Sequence, residues 1–282
     1  FTSLRQLATG QFGTVSVVKD EESGKTLALK TLDKRYLLRH RERACFMEER
    51  DVLVRGSQIP WFPSLTIAFQ DTSSLYLGME FLQGGDLAGL LDRRDGDGVE
   101  GEGSGLTEDE TRFYLAELIL ALESLHDLGY AHRDVKPGNV LIDARGHVRL
   151  ADFGACALID PETRRIRGAI PVGTPEYVAP EVLRAQEDGR KGYGPDCDLW
   201  SVGILAYECL RGISPFWAET DAQTFARVMD HESLICSEGS RYGIAEAKKD
   251  PFFAEVTFNL LWNEGRPPFV PDLSSPEDAH YF

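Results

Sequence analysis

His132-Arg133-Asp134-Val135-Lys136-Pro137-Gly138-Asn139, with Asp152-Phe153-Gly154 downstream, is the stretch that decides the reading of this chain. Its polar residues come in a telling order: a carboxylate (Asp134), a cation two places on (Lys136), a side-chain amide (Asn139) and a second carboxylate (Asp152). Moving a γ-phosphoryl group from ATP to a hydroxyl needs these four. Asp134 is placed to accept the hydroxyl proton and Lys136 to follow the charge on the moving group, while Asn139 and Asp152 are the pair to hold magnesium against the phosphates. A lone Asp-x-Lys is weak, since charged loops supply such pairs by accident. The whole string with its second motif is strong.

Working outward, 282 residues suffice for one large domain or two lobes, with a core that needs no metal or disulfide staple. The net charge of −16 argues against general binding to nucleic acid or an anionic membrane, both of which call for a basic face. It would favour basic substrates, although most of these charges read as solvated surface. Cys45, Cys156, Cys197, Cys209 and Cys236 form no CxxC pair and read as reduced thiols of a cytosolic protein. No signal peptide or membrane span is visible, and a first residue other than Met suggests a fragment of something longer.

The first part reads as a small sheet. Val15 and Val17 alternate with polar neighbours, Glu22-Ser23-Gly24-Lys25 is a turn, and Leu27 to Lys30 is the next strand. Period two puts Ala28 and Lys30 on one face, a small residue to roof a flat base beside a cation to reach phosphate. A helix is expected from about His40 to Val54, with Glu49 on the inward stripe of Cys45, Phe46, Val52 and Leu53. Glu49, in preference to Glu48, is then the carboxylate that holds Lys30.

Two strands, Leu65 to Phe69 and Leu75 to Glu80, lead to a Gly84-Gly85 hinge. Asp95 to Gly105, where glycine and acid nearly alternate, reads as a mobile loop. Thr107 and Glu110 fit a capping box opening a long buried helix, with His126 as a structural helix-end residue. Val140 to Ile142 and Val148 to Leu150 are short strands, and a second buried helix runs from about Asp198 to Leu210, stopping near Gly212.

With these residues in place, the chain resembles a eukaryotic protein kinase catalytic domain over nearly its whole length. The matching motifs are Ala8-Thr9-Gly10-Gln11-Phe12-Gly13-Thr14-Val15, Lys30, Met79-Glu80-Phe81-Leu82, the catalytic stretch, Gly173 to Tyr177, Ala179-Pro180-Glu181 and Asp198 to Gly203. Lys136 with Gly173-Thr174-Pro175 resembles the serine/threonine kinases. Phe46 to Leu53, Ala68 to Asp71, Phe113 to Leu120 and Pro268 to Pro271 resemble the AGC branch of Rho-associated, myotonic-dystrophy and citron kinases, with citron kinase as nearest match on Ile170 to Pro175, Ser214 to Phe216 and Thr224-Phe225.

The resemblance implies an α+β, bilobal fold. A small antiparallel-sheet N-lobe with one helix (1–78) joins a larger, mostly helical C-lobe (85–266) through a hinge (79–84), and 267–282 begin a C-terminal tail whose aromatic folds back near the nucleotide. It implies that the N–H groups of residues 10 to 13 cover the phosphates of ATP, with Ala8, Gly10, Phe12 and Gly13 in that loop and Lys30 held by Glu49. Leu7, Val15, Ala28 and Leu141 would sandwich adenine beside Met79, with backbone groups of Glu80 and Leu82 reading its edge. Thr174 would touch Asp134 and Lys136, and Asp198 would be buried and brace the catalytic loop. Leu7, Val15 and Leu141 would be apolar in any core.

Departures matter too. Ala8 replaces the first loop glycine. Gly138 stands where many basic-directed relatives carry an acid, leaving Asp86 and Glu208 to read substrate arginines. Ile170 occupies the usual activation-loop phosphothreonine position, so activity is expected not to depend on phosphate there, with dimerisation through flanking regions as the activator. Only Asp230 to Ser240 separate a helix ending near Met229 from Ser240-Arg241-Tyr242, where relatives carry a longer segment; Arg241 matches the partner of Glu181. The expected function is a Mg-ATP-dependent serine/threonine protein kinase, cytoplasmic and tied to actomyosin or cytokinesis, with protein substrates near basic residues and a Rho-type GTPase partner. The alternatives are a pseudokinase-like ATP-binding scaffold and a small-molecule kinase.

Overall fold

The structure, a computed structural model, describes residues 1–10, 13–40, 45–96, 105–167, 172–188, 192–231 and 243–282. Five antiparallel strands form the first layer: β1 (Thr2–Thr9), β2 (Gly13–Lys19), β3 (Thr26–Asp33), β4 (Leu65–Gln70) and β5 (Ser74–Glu80), in the order β1-β2-β3-β5-β4. The β2–β3–β5 register sets Val15, Lys30 and Leu77 in one row and Val17, Ala28 and Met79 in the next. Directly opposed residues share a face, so Lys30 and Ala28 point the same way, as strand alternation requires.

Two helices accompany the sheet where one is expected. α1 (Lys34–Arg39) starts on Asp33, whose carboxylate accepts the Tyr36 N–H at 2.8 Å, and ends at His40, whose ring stacks on Tyr36. α2 spans Phe46–Arg55. The helix expected from His40 is therefore corrected: His40 closes the preceding helix, its N–H spent on the Tyr36 and Leu37 carbonyls. α2 buries Glu49, Val52 and Leu53, the stripe read from the spacing.

The remainder is mostly helical. α3 (Leu87–Gly96) runs into the start of the acidic glycine stretch, correcting the loop expected from Asp95; residues 97–104 lie outside the described residues. Gly105 is packed rather than mobile, for a Cβ there would meet the Cys209 carbonyl oxygen at 2.6 Å. α4 (Glu108–Asp127) opens on the capping box of Thr107 and Glu110 and buries Tyr114, Leu115, Leu118, Ile119 and Leu122 in the main core. After β6 (Tyr130–Ala131), β7 (Val140–Ile142), β8 (Val148–Leu150) and β9 (Ala157–Leu158) come α5 (Pro180–Asp188), α6 (Cys197–Arg211) and α7 (Asp221–Met229). Gly212 ends α6 in the left-handed region, φ 74°, its N–H returning to the Glu208 carbonyl, a common helix stop.

The two halves meet at Gly84 and Gly85, which exchange backbone hydrogen bonds with Ile142 of β7. The arrangement is a bilobal α+β fold. The last residues cross back over this junction: Arg5 donates to the Ala279 and Phe282 carbonyls, Gln83 to Ser275, and the Phe81 and Phe282 rings lie 5.9 Å apart. None of the four described cysteines forms a disulfide, and no described helix is long and apolar enough to cross a membrane.

Candidate active site

Lys30 is where the two halves join chemically. Its Nζ donates to Glu49 Oε1 at 2.6 Å and to Asp152 Oδ1 at 2.7 Å. Burial alone would lower the ammonium pKa, but Asp152 and Glu49 together raise it, so the cation is held charged. Lys30 in turn pulls the Asp152 carboxyl down to about 2, against the effect of burial. Glu49, deeper in the protein, is pushed up by burial and pulled back by Lys30.

Asp152 sits at φ 59°, a left-handed conformation that an L-residue adopts at a cost of roughly 1–2 kcal/mol. The turn separates two neighbours of opposite character. The carboxylate faces Lys30 and is half exposed, while Phe153 is buried edge-on against Phe62 and His132.

The catalytic stretch is bent by a second left-handed residue, Arg133 (φ 68°), and α6 supplies the brace. Asp198, fully buried, accepts the N–H groups of His132 and Arg133 at 2.8 and 2.7 Å and the His126 ring nitrogen at 2.8 Å. Burial pushes its pKa up, yet the His126 and His132 interactions with the Arg133 N–H prevail and hold it below the usual range. His126 is thus a structural helix-end residue, as expected.

Asp134 is fixed from both oxygens. Oδ1 accepts the Thr174 N–H at 2.9 Å and hydroxyl at 2.8 Å, while Oδ2 lies 3.0 Å from Lys136 Nζ and 3.1 Å from Asn139 Nδ2. Lys136 also donates to Thr174 Oγ1 at 2.9 Å, closing the triangle expected of Thr174. Gly173 permits the approach: at φ 114°, a Cβ there would lie 2.4 Å from the Arg133 carbonyl oxygen. Asn139 spends its Nδ2 on Asp134, which leaves Oδ1 as its remaining side-chain acceptor, and its carbonyl takes the N–H of Ala151 beside Asp152 at 3.0 Å. Contacts thus run from Glu49 through Lys30 to Asp152, and from Ala151 beside it through Asn139 to Asp134 and Lys136, which gathers these side chains into one group.

Of the expected base-binding residues, Val15, Ala28 and Met79 lie on adjoining strands of the Lys30 face. Leu7 and Ala8 belong to β1, Ala8 opposite Val15; Leu141 is half-buried on β7 and bridges to Asp86, and Leu82 is buried. Glu80 gives its N–H to Ser64 and its carboxylate to Arg149. Two points temper the loop reading. The Gly10 N–H is used by the Gly13 carbonyl at 2.8 Å, and a Cβ on Gly13 would sit 1.8 Å from the Thr31 carbonyl oxygen, so strand packing by itself demands that glycine. Phe12, Ile170 and Arg241 lie outside the described residues.

Asp86 and Glu208 both have partners: Asp86 Oδ1 accepts the Gly89 N–H at 2.8 Å and Glu208 accepts the Tyr177 hydroxyl. A Cβ on Gly138 would meet nothing within 4 Å, so neither space nor backbone demands a glycine there.

Three sets of contacts were not visible in the sequence. Arg149 grips both Glu80 oxygens at 2.8 and 2.7 Å and the Pro60 and Phe62 carbonyls, tying the end of β5 to the segment before β4. Arg133 donates to the Ala155 carbonyl and the Tyr193 hydroxyl. Tyr130 donates to Asp51 on α2. No short-range pattern marks any of these pairs.

The protein kinase domain family matches residues 1–258. The whole chain is 41% identical, over 306 residues, to the serine/threonine-protein kinase MRCK alpha of Homo sapiens, and 40% identical to human MRCK beta. It is also 40% identical, over 308 residues, to the serine/threonine-protein kinase mrck-1 of Caenorhabditis elegans. The chain spans about 17% of the length of the two human relatives and 19% of the nematode one. On this match, the chain belongs to the protein kinase domain family.

Proposed function

We propose that the chain is a Mg-ATP-dependent serine/threonine protein kinase. The observation that carries this reading is Lys30 bridging Glu49 and Asp152, a cation held between carboxylates from the two halves of the fold. Among the described residues no cluster of three or more His, Cys, Asp or Glu side chains could hold a metal alone. That suits magnesium, which is commonly held by one or two protein oxygens plus substrate phosphates. Asp152 and the spare Asn139 Oδ1 offer hard oxygen donors of that kind. Bound magnesium would supply charge neutralisation at the phosphates.

The chain's own residues do the rest. Lys30 anchors the α- and β-phosphates, Asp134 orients and accepts the proton of a Ser or Thr hydroxyl, and Lys136 stabilises charge on the transferred group. Thr174, tied to both Asp134 and Lys136, supports Ser/Thr selectivity. The experiment is transfer of radiolabelled γ-phosphate to basic peptides carrying Ser, Thr or Tyr, comparing wild type with Asp152→Ala. Equal incorporation by both proteins would defeat the reading.

The MRCK relatives support the Rho-associated, myotonic-dystrophy and citron branch; the citron assignment rests on the sequence resemblance alone. A cytoplasmic role in actomyosin or cytokinesis control and a Rho-type GTPase partner rest on the same resemblance. Phosphate-independent activity is supported by Arg133, the cation that by the same resemblance would pair with a phosphate at position 170, because its guanidinium is engaged instead by Ala155 and Tyr193. Phosphatase treatment should leave activity intact, and loss through this loop would refute the point.

A further inference from the structure

Helix α2 carries Glu49, so its orientation decides whether Lys30 is held. A helix advances about 100° per residue, so Glu49 and Asp51 project about 200° apart, on nearly opposite sides. One side is gripped by the sheet through Lys30. The other is gripped by Tyr130, whose hydroxyl donates to Asp51 Oδ2 at 2.6 Å. Tyr130 is a buried residue on β6, two places before the catalytic stretch, and a buried phenol needs an acceptor. Arg55 closes the group, 3.3 Å from the same Asp51 oxygen with its guanidinium over the Tyr130 ring. The N-terminus of α2 is tied as well, Cys45 N–H donating to the Gly154 carbonyl at 3.3 Å. Contacts on both flanks oppose rotation of the helix about its axis, which neither alone would do.

We propose that the Tyr130–Asp51 hydrogen bond is a positioning contact that sets the rotation of α2 and thereby keeps Glu49 on Lys30. It couples the segment leading into the catalytic stretch to the helix that organises the phosphate-anchoring lysine. The exposed Asp51–Arg55 pair alone would contribute little, being solvated on both sides. The hydroxyl of Tyr130, carried on a buried ring, makes the contact directional. The catalytic consequence rests on the kinase reading above; the structural one does not.

The test pairs kinetics with amide hydrogen exchange on the unliganded full chain. Tyr130→Phe and Asp51→Ala should each lower kcat about fivefold, and the double variant no further, because both remove one interaction. Asp51→Asn, which keeps an acceptor, should stay within about twofold of wild type. Exchange across α2 should rise roughly tenfold in Tyr130→Phe, with α4 and α6 unchanged. Unchanged α2 exchange would overturn the proposal, as would a kcat loss accompanied by equal loss of protection in α4 and α6. If wild type transfers no phosphate, the kinase reading fails while the exchange measurement still decides whether the contact sets α2.

Discussion

Asp198 Oδ1 accepts the backbone N–H of Arg133 at 2.7 Å across 65 positions of sequence, and its second oxygen takes His132 and His126. A buried carboxylate thereby holds a residue in the left-handed region next to the proposed catalytic base. Truncation by Asp198→Ala leaves three buried donors unpaired and the Arg133 turn unsupported. The expected loss is about 3–5 kcal/mol of stability, measured by urea unfolding.

The same carboxylate sets a pH dependence. Its folded pKa lies below the ordinary 3.8, so the unfolded chain takes up the proton first on acidification. The stabilisation is complete above the ordinary value and is lost as pH falls through the depressed one. The urea midpoint of wild type should fall more steeply below about pH 4 than that of Asp198→Asn, which has no proton to take up there.

Lys30 serves two carboxylates, one in each half of the fold. Lys30→Met and Asp152→Ala should each cut phosphate transfer at least about 100-fold, since each removes a group facing charge in the transition state. Circular dichroism spectra of both should stay folded. Retained transfer in either variant would remove that residue from the mechanism.

Gly85 has φ 76°, and a Cβ there would lie 2.6 Å from the Tyr281 carbonyl oxygen. Gly85→Ala combines backbone strain with displacement of the segment packed over the junction. We expect about 1–2 kcal/mol of destabilisation, together with faster proteolysis after residue 266. Cleavage at the wild-type rate would show that the segment does not depend on this contact.

Local chemistry was legible. The Thr107–Glu110 capping box, the Gly212 stop and the inward stripe of α2 depend on neighbours within one or two turns, and the structure has all three. Where reading failed, a nearby interaction overrode the pattern. Asp33 capped a helix not anticipated from the periodicity, and His40 ended that helix instead of starting the next.

The sequence by itself singled out the groups proposed for phosphoryl transfer, because Asp134, Lys136, Asn139 and Asp152 are polar side chains that an apolar core would not call for. The placement of Thr174 and Asp198 was anticipated through resemblance to a family and not through spacing. Only the tertiary structure decided that Arg149 holds Glu80, that Tyr193 engages Arg133 and that Tyr130 reaches Asp51. Hydrophobic period and caps act over a few residues, whereas these partners lie 60 to 79 positions apart and meet only when packed layers bring them together.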